Sequence, residues 1–262
     1  MKSVISIAGS DSSGGAGIQA DIKTIAAHDL FAQTALTALT AQNTTGVFGV
    51  LDVDPDFVRQ QIRVVFDDIR PDAVKIGMIS SASIAHAIAD ALEEVGADNI
   101  VVDPVMVATS GSALIDERAL EALVGRLFPL AHVITPNIPE AVKLAGCSIT
   151  CEQEMEDAAD CLVRLLSEGA YVLVKGGHLT TDASDLLASA TTRTWLREKR
   201  VDTANTHGTG CTLSSAIACG LACGMDVPEA ASAAKDYVTG ALASGLDLGH
   251  GSGPLDHMWN RR

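Results

Sequence analysis

The sequence predicts an α/β fold in which helices cover both faces of a mostly parallel β-sheet. Short β-prone runs alternate with helical stretches along nearly the whole chain, which is the pattern of parallel strands joined by right-handed helical crossovers. Aromatic residues make up only 3% of the 262 residues, so we expect a core of small aliphatic side chains, as in parallel sheets buried by helices. No linker, repeat or low-complexity tract interrupts the chain, and we therefore expect a single domain over residues 1–262.

Hydrophobic periodicity separates the individual elements. Apolar residues three or four apart predict helices, and short runs rich in β-branched residues predict strands. The predicted strands cover residues 3–9, 32–43, 72–79, 99–106, 132–140 (running into a turn) and 170–177. The predicted helices cover residues 16–28, 55–68, 81–95, 116–127 and 152–168, followed by a β-hairpin or meander within 184–203 and by helices from Gly208 onward. Ligands bind at the carboxyl ends of the strands in such sheets, so the residues that follow each strand are the candidates for a site.

Composition and charge exclude several classes of partner. The net charge of −15 argues against nucleic acid, whereas a small phosphorylated ligand needs only a few local donors and a metal ion. No apolar run approaches the ~20 residues that cross a bilayer, and the apolar stretch after Lys2 is too short for a signal peptide. We therefore expect a cytoplasmic protein without a membrane partner. Its six cysteines are expected to be reduced and mostly buried rather than metal-bound, because no C-x-x-C motif is present.

A glycine-rich loop, G-S-D-S-S-G-G-A-G, follows the first predicted strand at residues 9–17. Residues 15–20 formally match the dinucleotide fingerprint G-x-G-x-x-A. The loop is too long for the tight turn of that motif, and no acidic residue stands about 20 positions later to bind a ribose. A dinucleotide-dependent oxidoreductase is therefore disfavoured. We expect instead that the loop backbone closes around a small ligand, with Asp21 nearby on the following helix.

Gln42 and Met78 stand at the carboxyl ends of the second and third predicted strands. A carboxamide offers a donor and an acceptor side by side, which suits a heterocycle that carries an amino group beside a ring nitrogen. The alternative for Gln42 is a turn residue that caps its own backbone. Met78 is either a core residue or an apolar wall of the cleft.

Charged and amide side chains follow the later strands. Asp103 ends the fourth strand, and Asn137 and Glu140 share one short turn within T-P-N-I-P-E. An amide and a carboxylate three residues apart can organise Mg²⁺, which prefers oxygen ligands, although the same pattern also marks the start of a helix. Lys175 ends a further strand, where its ammonium group can act as a point charge for phosphate.

The segment T-H-G-T-G-C at residues 206–211 stands at the head of a predicted helix. The glycines allow successive N–H groups to converge on an anion, and the helix adds its positive end. The segment is not a Walker A motif, because no G-K-[ST] follows. Since a helix N-terminus also lowers the pKa of a thiol, we expect Cys211 to tend towards the thiolate and to face the acceptor of a phosphoryl group.

Taken together and in order, these motifs resemble those of the hydroxymethylpyrimidine/phosphomethylpyrimidine kinase family, which lies within the ribokinase-like superfamily. The resemblance runs from residue 3 to residue 257 and rests on AGSDSSGGAGIQAD (8–21), TALTAQNT (37–44), KIGM (75–78), DPVM (103–106), TPNIPE (135–140), VKGGH (174–178), THGTGCTLSSA (206–216) and GHGSGPL (249–255). It implies a ribokinase-like three-layer αβα sandwich, usually a homodimer. It also implies that Mg-ATP is used twice, first on 4-amino-5-hydroxymethyl-2-methylpyrimidine and then on the resulting monophosphate.

The resemblance also implies roles for individual residues. Gln42 would bind the pyrimidine, in a pocket lined by Gly9, Ala16, Asp21, Met78 and Val105. Asp103, Asn137 and Glu140 would lie near Mg²⁺, and Lys175, Thr135 and Asn137 would lie on the ATP side. The backbone of Gly208, Thr209 and Gly210 would form the anion hole, and Cys211 would face the acceptor oxygen.

Two positions depart from the family pattern. Ser12 replaces a proline of the glycine-rich loop, which we expect only to loosen a turn, and Thr109 stands where the family usually carries a lysine near the phosphates. The missing charge predicts either weaker ATP binding or a second source of positive charge. Thr109 therefore leaves a pyrimidine-binding protein without catalysis as one alternative. A pyridoxal kinase of the same superfamily is the other, because the resemblance implies that some relatives phosphorylate B6 vitamers with much the same residues.

Overall fold

The structure, a computed structural model, describes residues 1–107, 115–177 and 183–261. Its strands are β1 (Ser3–Asp11), β2 (Phe31–Asn43), β3 (Gly46–Asp52), β4 (Ala73–Ile76), β5 (Ile100–Val102), β6 (Val133–Ile134), β7 (Tyr171–Val174), β8 (Asp185–Ala188) and β9 (Arg193–Leu196). Its α-helices are α1 (Gly17–Ala27), α2 (Pro55–Asp68), α3 (Ala82–Glu94), α4 (Glu117–Ala122), α5 (Ile138–Ala145), α6 (Glu152–Val163), α7 (Thr209–Ala222) and α8 (Val227–Ser244). A π-helical turn at Leu123–Leu127 and 3₁₀ turns at Phe128–Leu130 and Trp259–Arg261 complete the regular structure of these residues.

Within the described residues, nine strands form one sheet in the order β3-β2-β1-β4-β5-β6-β7-β8-β9. The six strands from β2 to β7 in that order pair in parallel, whereas β3, β8 and β9 pair antiparallel at the two edges. The predicted α/β class with a mostly parallel sheet is therefore confirmed, and so is the hairpin within 184–203. Strand β3 was not predicted.

Alternating strand residues face opposite helical layers. Ile5, Ile76 and Val102 face one core, which is covered by α2, α3, α5 and α6. Their neighbours Val4 and Val101 face the other core, which is covered by α1, α7 and α8. The sheet is thus buried on both faces, which completes the three layers and explains the near-continuous apolar runs of the parallel strands.

Several strands are shorter than predicted, because the chain leaves the sheet as soon as the site begins. β5 ends at Val102, one residue before Asp103, and β6 ends at Ile134, one residue before the Thr135–Pro136 pair. Pro136 has no N–H to donate to a neighbouring strand, so it cannot extend β6. The residues expected at the strand ends are therefore loop residues whose positions are set by the last ladder hydrogen bonds.

No helix among the described residues combines the length and the apolar character that crossing a membrane requires.

The cysteines differ from expectation. Cys219 is buried on α7, but Cys151, Cys161 and Cys223 are exposed. The expectation of mostly buried cysteines is wrong for these three: Cys151 and Cys223 stand at helix ends, and Cys161 lies on the outward face of α6.

Candidate active site

The start of α7 contacts two groups of residues at the carboxyl ends of the strands: the glycine-rich loop after β1, and the charged residues after β5 and β7. Gly208 precedes the helix with φ +85°, and a Cβ atom there would lie 1.9 Å from the carbonyl oxygen of Gly15 in the glycine-rich loop. A Cβ atom at Gly210 would lie 3.2 Å from both the Asp103 carboxylate and the Lys175 ammonium nitrogen. Only a residue without a side chain fits at Gly208, where φ is positive and the loop backbone is in contact. The Gly-Thr-Gly turn therefore joins the glycine-rich loop to the charged residues after β5 and β7.

A buried Asp11–His207 pair fastens the same two segments by their side chains. Asp11 accepts hydrogen bonds from the N–H groups of Ser13 (2.8 Å), Gly15 (3.1 Å) and Ala16 (2.8 Å). His207 Nε2 lies 2.7 Å from the Asp11 carboxylate. Burial works against the charge of Asp11, but these hydrogen bonds outweigh it and lower its pKa to about 2. Sequence reasoning missed this pair, although an Asp two residues before a Ser is the signal of an Asx turn.

Gln42 lies at an irregularity of the sheet beside this pair. The register of β2 against β3 shifts between Ala41 and Gln42, and such bulges re-aim a side chain. The Gln42 side-chain oxygen accepts a hydrogen bond from the Thr40 hydroxyl (3.1 Å), and its nitrogen lies 3.4 Å from His207 Nε2. The Gln42 amide contacts other side chains and does not cap its own backbone, so the turn-residue alternative is not realised, and the reading of a heterocycle stays a prediction.

Ser12 hydrogen-bonds to the main chain of Gln42. Its hydroxyl donates to the carbonyl of Gln42 at 2.8 Å and accepts from the N–H of Gln42 at 2.9 Å. A proline could make neither bond. The expectation that Ser12 only loosens a turn is therefore wrong, because its hydroxyl links the glycine-rich loop to the end of β2.

The other predicted pocket residues lie at this same edge of the sheet. A Cβ atom at Gly9 would lie 3.1 Å from the sulfur of Met78, so these two residues are in contact. Met78 is half-buried, and its carbonyl accepts a hydrogen bond from the Thr37 hydroxyl. Ala16 and Val105 are also half-buried, in the loops after β1 and β5. The structure brings Gly9, Met78 and Gln42 to the ends of neighbouring strands, as a common pocket requires.

Asp21 does not line a pocket with its carboxylate. The side chain is fully buried and accepts hydrogen bonds from Ser6 (2.5 Å), Lys75 (2.8 Å) and Ser215 (2.8 Å). This differs from the expectation, because the first turns of α1 face the interior between β1 and α7. Lys75 is also fully buried; burial opposes its charge, but Asp21 and other negative groups raise its pKa above the usual value. Sequence reasoning gave Lys75 no role.

The charged half of the site is organised around Asp103. One carboxylate oxygen accepts hydrogen bonds from the Thr135 hydroxyl (3.0 Å) and the Lys175 ammonium group (2.8 Å). Burial opposes the charge of Lys175, but Asp103 and Glu140 together raise its pKa. The lysine is therefore cationic throughout the physiological range, as a phosphate-binding residue must be.

Asn137 and Glu140 form the capping box of α5. The Asn137 side chain accepts the N–H of Glu140 at 2.9 Å, and the Glu140 carboxylate accepts the N–H of Asn137 at 2.8 Å. Burial and the nearby charge of Asp103 raise the pKa of Glu140, against the opposing effect of Lys175. Of the two readings of this pattern, the helix start is realised in the structure, and a metal would have to share these oxygens with backbone N–H groups.

Magnesium was tested against this donor set. Within the described residues, no group of three or more His, Cys, Asp or Glu side chains is arranged to hold a metal ion. Two buried carboxylates, Asp103 and Glu140, are balanced here by Lys175 as their shared cation. Mg²⁺ usually takes one or two carboxylates and completes its shell with water and substrate phosphates. The residues fit an ion bound in that way, and they do not form a cage made of protein ligands alone.

Cys211 contradicts one expectation about its chemistry. It lies in the first turn of α7 as predicted, but burial raises the pKa of its thiol to about 11. The charge of Lys75 and the N–H of Gly17 act in the opposite direction and do not overcome this effect. The prediction of a thiolate is therefore wrong for the free protein, because desolvation exceeds the effect of the helix N-terminus.

The anion hole at residues 208–210 stays a prediction, although the backbone there forms the predicted start of a helix. The first N–H groups of an α-helix have no intrahelical acceptor, and those of Gly210 and Cys211 are of this kind. The N–H of Thr209 points at the carbonyl of Thr206 at 3.3 Å and is partly occupied. The interpretation of Thr109 as a missing charge falls outside the described residues.

Comparison with known proteins identifies the family of this chain. The model of the family described as phosphomethylpyrimidine kinase matches residues 11–256. A hydroxymethylpyrimidine/phosphomethylpyrimidine kinase of Streptomyces coelicolor is 49% identical over 256 residues, which cover 98% of this chain and 94% of that protein. The thiamine biosynthesis bifunctional protein ThiED of Geobacter sulfurreducens is 49% identical over 257 residues, covering 98% of this chain and 52% of that longer protein.

A solved structure shows the same fold over the full length. The ADP complex of Bacillus subtilis pyridoxal kinase has a TM-score of 0.91 and 38% sequence identity, and the match covers 100% of this chain and 99% of that one. The ribokinase-like three-layer fold is thereby confirmed. With a family match over residues 11–256 and a relative at 49% identity, the chain belongs to the phosphomethylpyrimidine kinase family.

Proposed function

We propose that this protein is an ATP-dependent kinase of thiamine biosynthesis that phosphorylates 4-amino-5-hydroxymethyl-2-methylpyrimidine and then its monophosphate. The observation that carries the proposal is the double contact of the Gly-Thr-Gly turn. Gly208 is in contact with the loop beside Gln42, and Gly210 faces Asp103 and Lys175. One backbone turn thus lies between a group that can read a heterocycle and a group that can neutralise phosphates. The 49% identity to a kinase with this name supports the same substrate class.

On the substrate side, Gln42 is assigned to the aminopyrimidine ring. Its amide donor and acceptor match an exocyclic amino group beside a ring nitrogen. Gly9, Ala16, Met78 and Val105 form the walls, where glycine and alanine leave room for a flat ring. The full burial of Asp21 assigns it to the support of this pocket rather than to contact with the ligand.

On the phosphate side, Lys175 supplies the positive charge. Thr135 and Asn137 lie next to it. The N–H groups of Gly210 and Cys211, at the start of α7, are assigned to the transferring group, with the backbone of Gly208 and Thr209 shaping the turn. Mg²⁺, held near Asp103 and Glu140 with Asn137 beside them, would neutralise negative charge on the phosphates. Phosphoryl transfer depends mostly on positioning and on such charge neutralisation, so these groups can provide most of the catalysis.

Cys211 is assigned to the acceptor hydroxyl as a proton relay. A thiol with a pKa of about 11 holds its own proton at neutral pH, so it is not a ready base. In the relay, the acceptor oxygen forms a bond to the γ-phosphorus as the bond to the ADP oxygen breaks. The hydroxyl proton passes to sulfur while the thiol proton passes to a phosphoryl oxygen. The second reaction has a phosphate anion as its acceptor and needs no relay.

The proposal is tested by measuring ATP consumption with three acceptors: the aminopyrimidine, its monophosphate and pyridoxine. We expect turnover of both pyrimidines, with a kcat/KM for pyridoxine at least tenfold lower, since Gln42 is matched to an aminopyrimidine edge. Turnover of pyridoxine alone would assign the chain to the pyridoxal kinases. Binding of the aminopyrimidine without any ATP consumption would show a binding protein.

The pyridoxal kinase alternative has one specific observation in its favour, the full-length match to the Bacillus subtilis enzyme at 38% identity. The relative named for the pyrimidine is closer, at 49% identity. The non-catalytic alternative depended on Thr109 alone, whereas Lys175, Asp103 and the glycine turn are all in place.

The proposal includes a homodimer in the cytoplasm, acting through a single domain over residues 1–262. Strand β3 supports the dimer, because it is an edge strand that exposes Phe48 (72%) and Leu51 (66%). Isolated apolar edges of this kind are usually covered. Sedimentation analysis should show a dimer for the unaltered chain and a monomer for Phe48→Glu; an unaltered chain that sediments as a monomer would contradict it.

A further inference from the structure

Lys175 holds its ammonium group at the end of a long flexible side chain, so its reach depends on where its backbone is fixed. The backbone N–H of Lys175 donates to the carbonyl of Pro136 at 2.9 Å, and Lys175 forms an isolated parallel β-bridge with Asn137. These contacts fix only one side of the residue. Lys175 follows the last residue of β7. The contacts that hold the next residue, Gly176, therefore help to set the direction in which the Lys175 side chain points.

Gly176, the next residue, is held by a carboxylate. Its N–H donates to Asp185 at 2.9 Å. A Cβ atom at Gly176 would lie 1.8 Å from the carbonyl oxygen of Ser184, so the two backbones are in direct contact. The ladder between β7 and β8 ends at the Val174–Leu186 pair. The Asp185 side chain thus joins the segment after β7 to β8, beyond the last residue pair of the two strands.

Asp185 depends in turn on α8. Its side chain is 4% exposed, and its second oxygen accepts a hydrogen bond from the Lys235 ammonium group at 2.8 Å. The same ammonium group donates to the carbonyl of Ala183. Burial raises the pKa of Asp185, and Lys235 counteracts this effect. A buried carboxylate without its cation would be strongly destabilising, so Lys235 is what allows Asp185 to hold Gly176 while charged.

We propose that Asp185 and Lys235 are positioning residues for Lys175: by fixing the backbone of Gly176 they set the point from which the Lys175 ammonium group reaches Asp103 and the ATP phosphates. This inference rests on the proposed role of Lys175 on the phosphate side. Neither residue touches the reacting atoms. Supporting residues of this kind act through the group that they orient, and their loss typically costs about 10- to 100-fold in the property that group controls.

The decisive test compares two double variants that both remove the two charges. Asp185→Leu with Lys235→Met removes the acceptor of the Gly176 N–H, whereas Asp185→Asn with Lys235→Met keeps an oxygen acceptor. We expect the first to raise the KM for ATP about tenfold and the second to recover most of that loss, with the KM for the aminopyrimidine within twofold in both. Because neither variant leaves a lone buried charge, both should fold. Asp236→Asn, an exposed neighbour on α8, should leave all constants unchanged.

The same leucine–methionine pair is then combined with Lys175→Met. If the pair acts through Lys175, its effect on the KM for ATP should vanish in that background. A lower melting temperature without a change in the KM for ATP, or an effect that persists without Lys175, would overturn the inference and leave the proposed function intact. If Lys175→Met alone left ATP kinetics unchanged, the phosphate-side assignment would fail, and the inference would fail with it.

Discussion

The two halves of the site hold their polar groups in different ways. Around Gln42, the contacts are hydrogen bonds between fixed neighbours: Ser12 holds its main chain, and His207 lies beside its amide. Around Asp103, the contacts join formal charges that are buried together, with Lys175 shared between Asp103 and Glu140. The first half also holds one buried carboxylate, that of Asp11, beside His207. The second has two carboxylates for one lysine.

This difference separates what each half can recognise. A neutral ring is selected by the placement of donors and acceptors, because an unmatched buried polar group is costly. A polyphosphate is bound by charge, and its negative groups need cations already in place. Changes in the first half should therefore act mainly on the KM for the pyrimidine. Changes in the second should act on ATP and on turnover.

The largest effect is expected for Lys175→Met. Loss of the ammonium group leaves Asp103 and Glu140 without their shared cation. The methionine that replaces it carries no charge to attract the ATP phosphates. We expect kcat/KM for ATP to fall about 10³-fold, with the affinity for the pyrimidine nearly unchanged. Steady-state kinetics and pyrimidine titration measure the two effects. Lys199→Met, at an exposed position, is the control. Equal losses in kcat/KM for ATP and in affinity for the pyrimidine would contradict the division of the site into a substrate half and a phosphate half.

Cys211→Ala should come next, with about a 10²-fold loss in the first phosphorylation and a clearly smaller loss in the second. The pH dependence sharpens this prediction. Because the thiol pKa is about 11 in the free protein, the kcat/KM of a mechanism that needs a thiolate would rise nearly tenfold per pH unit between pH 7 and 10. The relay predicts that the thiol contributes no such rise to kcat/KM over this range. The rate of alkylation of Cys211 by iodoacetamide, followed by peptide mass spectrometry, should by contrast keep rising up to about pH 11.

Much of the fold and of the site follows from local sequence, because the signals are local. The N-x-x-E pattern at Asn137 predicts a helix start, and the glycines around Thr209 predict a turn at the head of a helix. β3 escaped prediction because it lies at the edge with most of its residues exposed, so its sequence carries no clear alternation of burial. The thiolate prediction failed because burial is a property of the packed site and not of the helix position.

What could not be predicted are the side-chain partners that meet across the fold. Asp11 and His207 are 196 residues apart, Lys75 and Asp21 are 54 apart, and Lys235 and Asp185 are 50 apart. Each pair joins different elements, and no spacing rule connects them. The residues that bear the chemistry were recognisable from their motifs, whereas most residues that hold them in place were not.

Asp11→Asn should show a smaller, pH-dependent effect on the substrate half. The pKa of Asp11 is about 2, below its ordinary 3.8, so its charge stabilises the fold above that ordinary value and the stabilisation is lost as the pH falls through 2. At pH 7 we expect a melting temperature lower by about 5 °C and a KM for the pyrimidine about tenfold higher. The difference in stability should shrink between pH 4 and pH 2. Asp67→Asn, exposed on α2, should show neither effect, and a stability difference that stays constant with pH would contradict the assignment.

The smallest effect is expected at Ser12, where the comparison is tested most finely. Ser12→Ala removes both hydrogen bonds to the main chain of Gln42 without touching its amide. Because Ser12 is exposed, water replaces part of the loss, and we expect the KM for the pyrimidine to rise about three- to fivefold with the KM for ATP unchanged. Ser12→Thr keeps the hydroxyl and should retain the original value. Pyrimidine titrations of the unaltered chain and the two variants test this prediction. If Ser12→Ala and Ser12→Thr bound the pyrimidine equally well, the hydroxyl would not be what fixes Gln42. The bulge in β2 alone would then have to fix the position of Gln42.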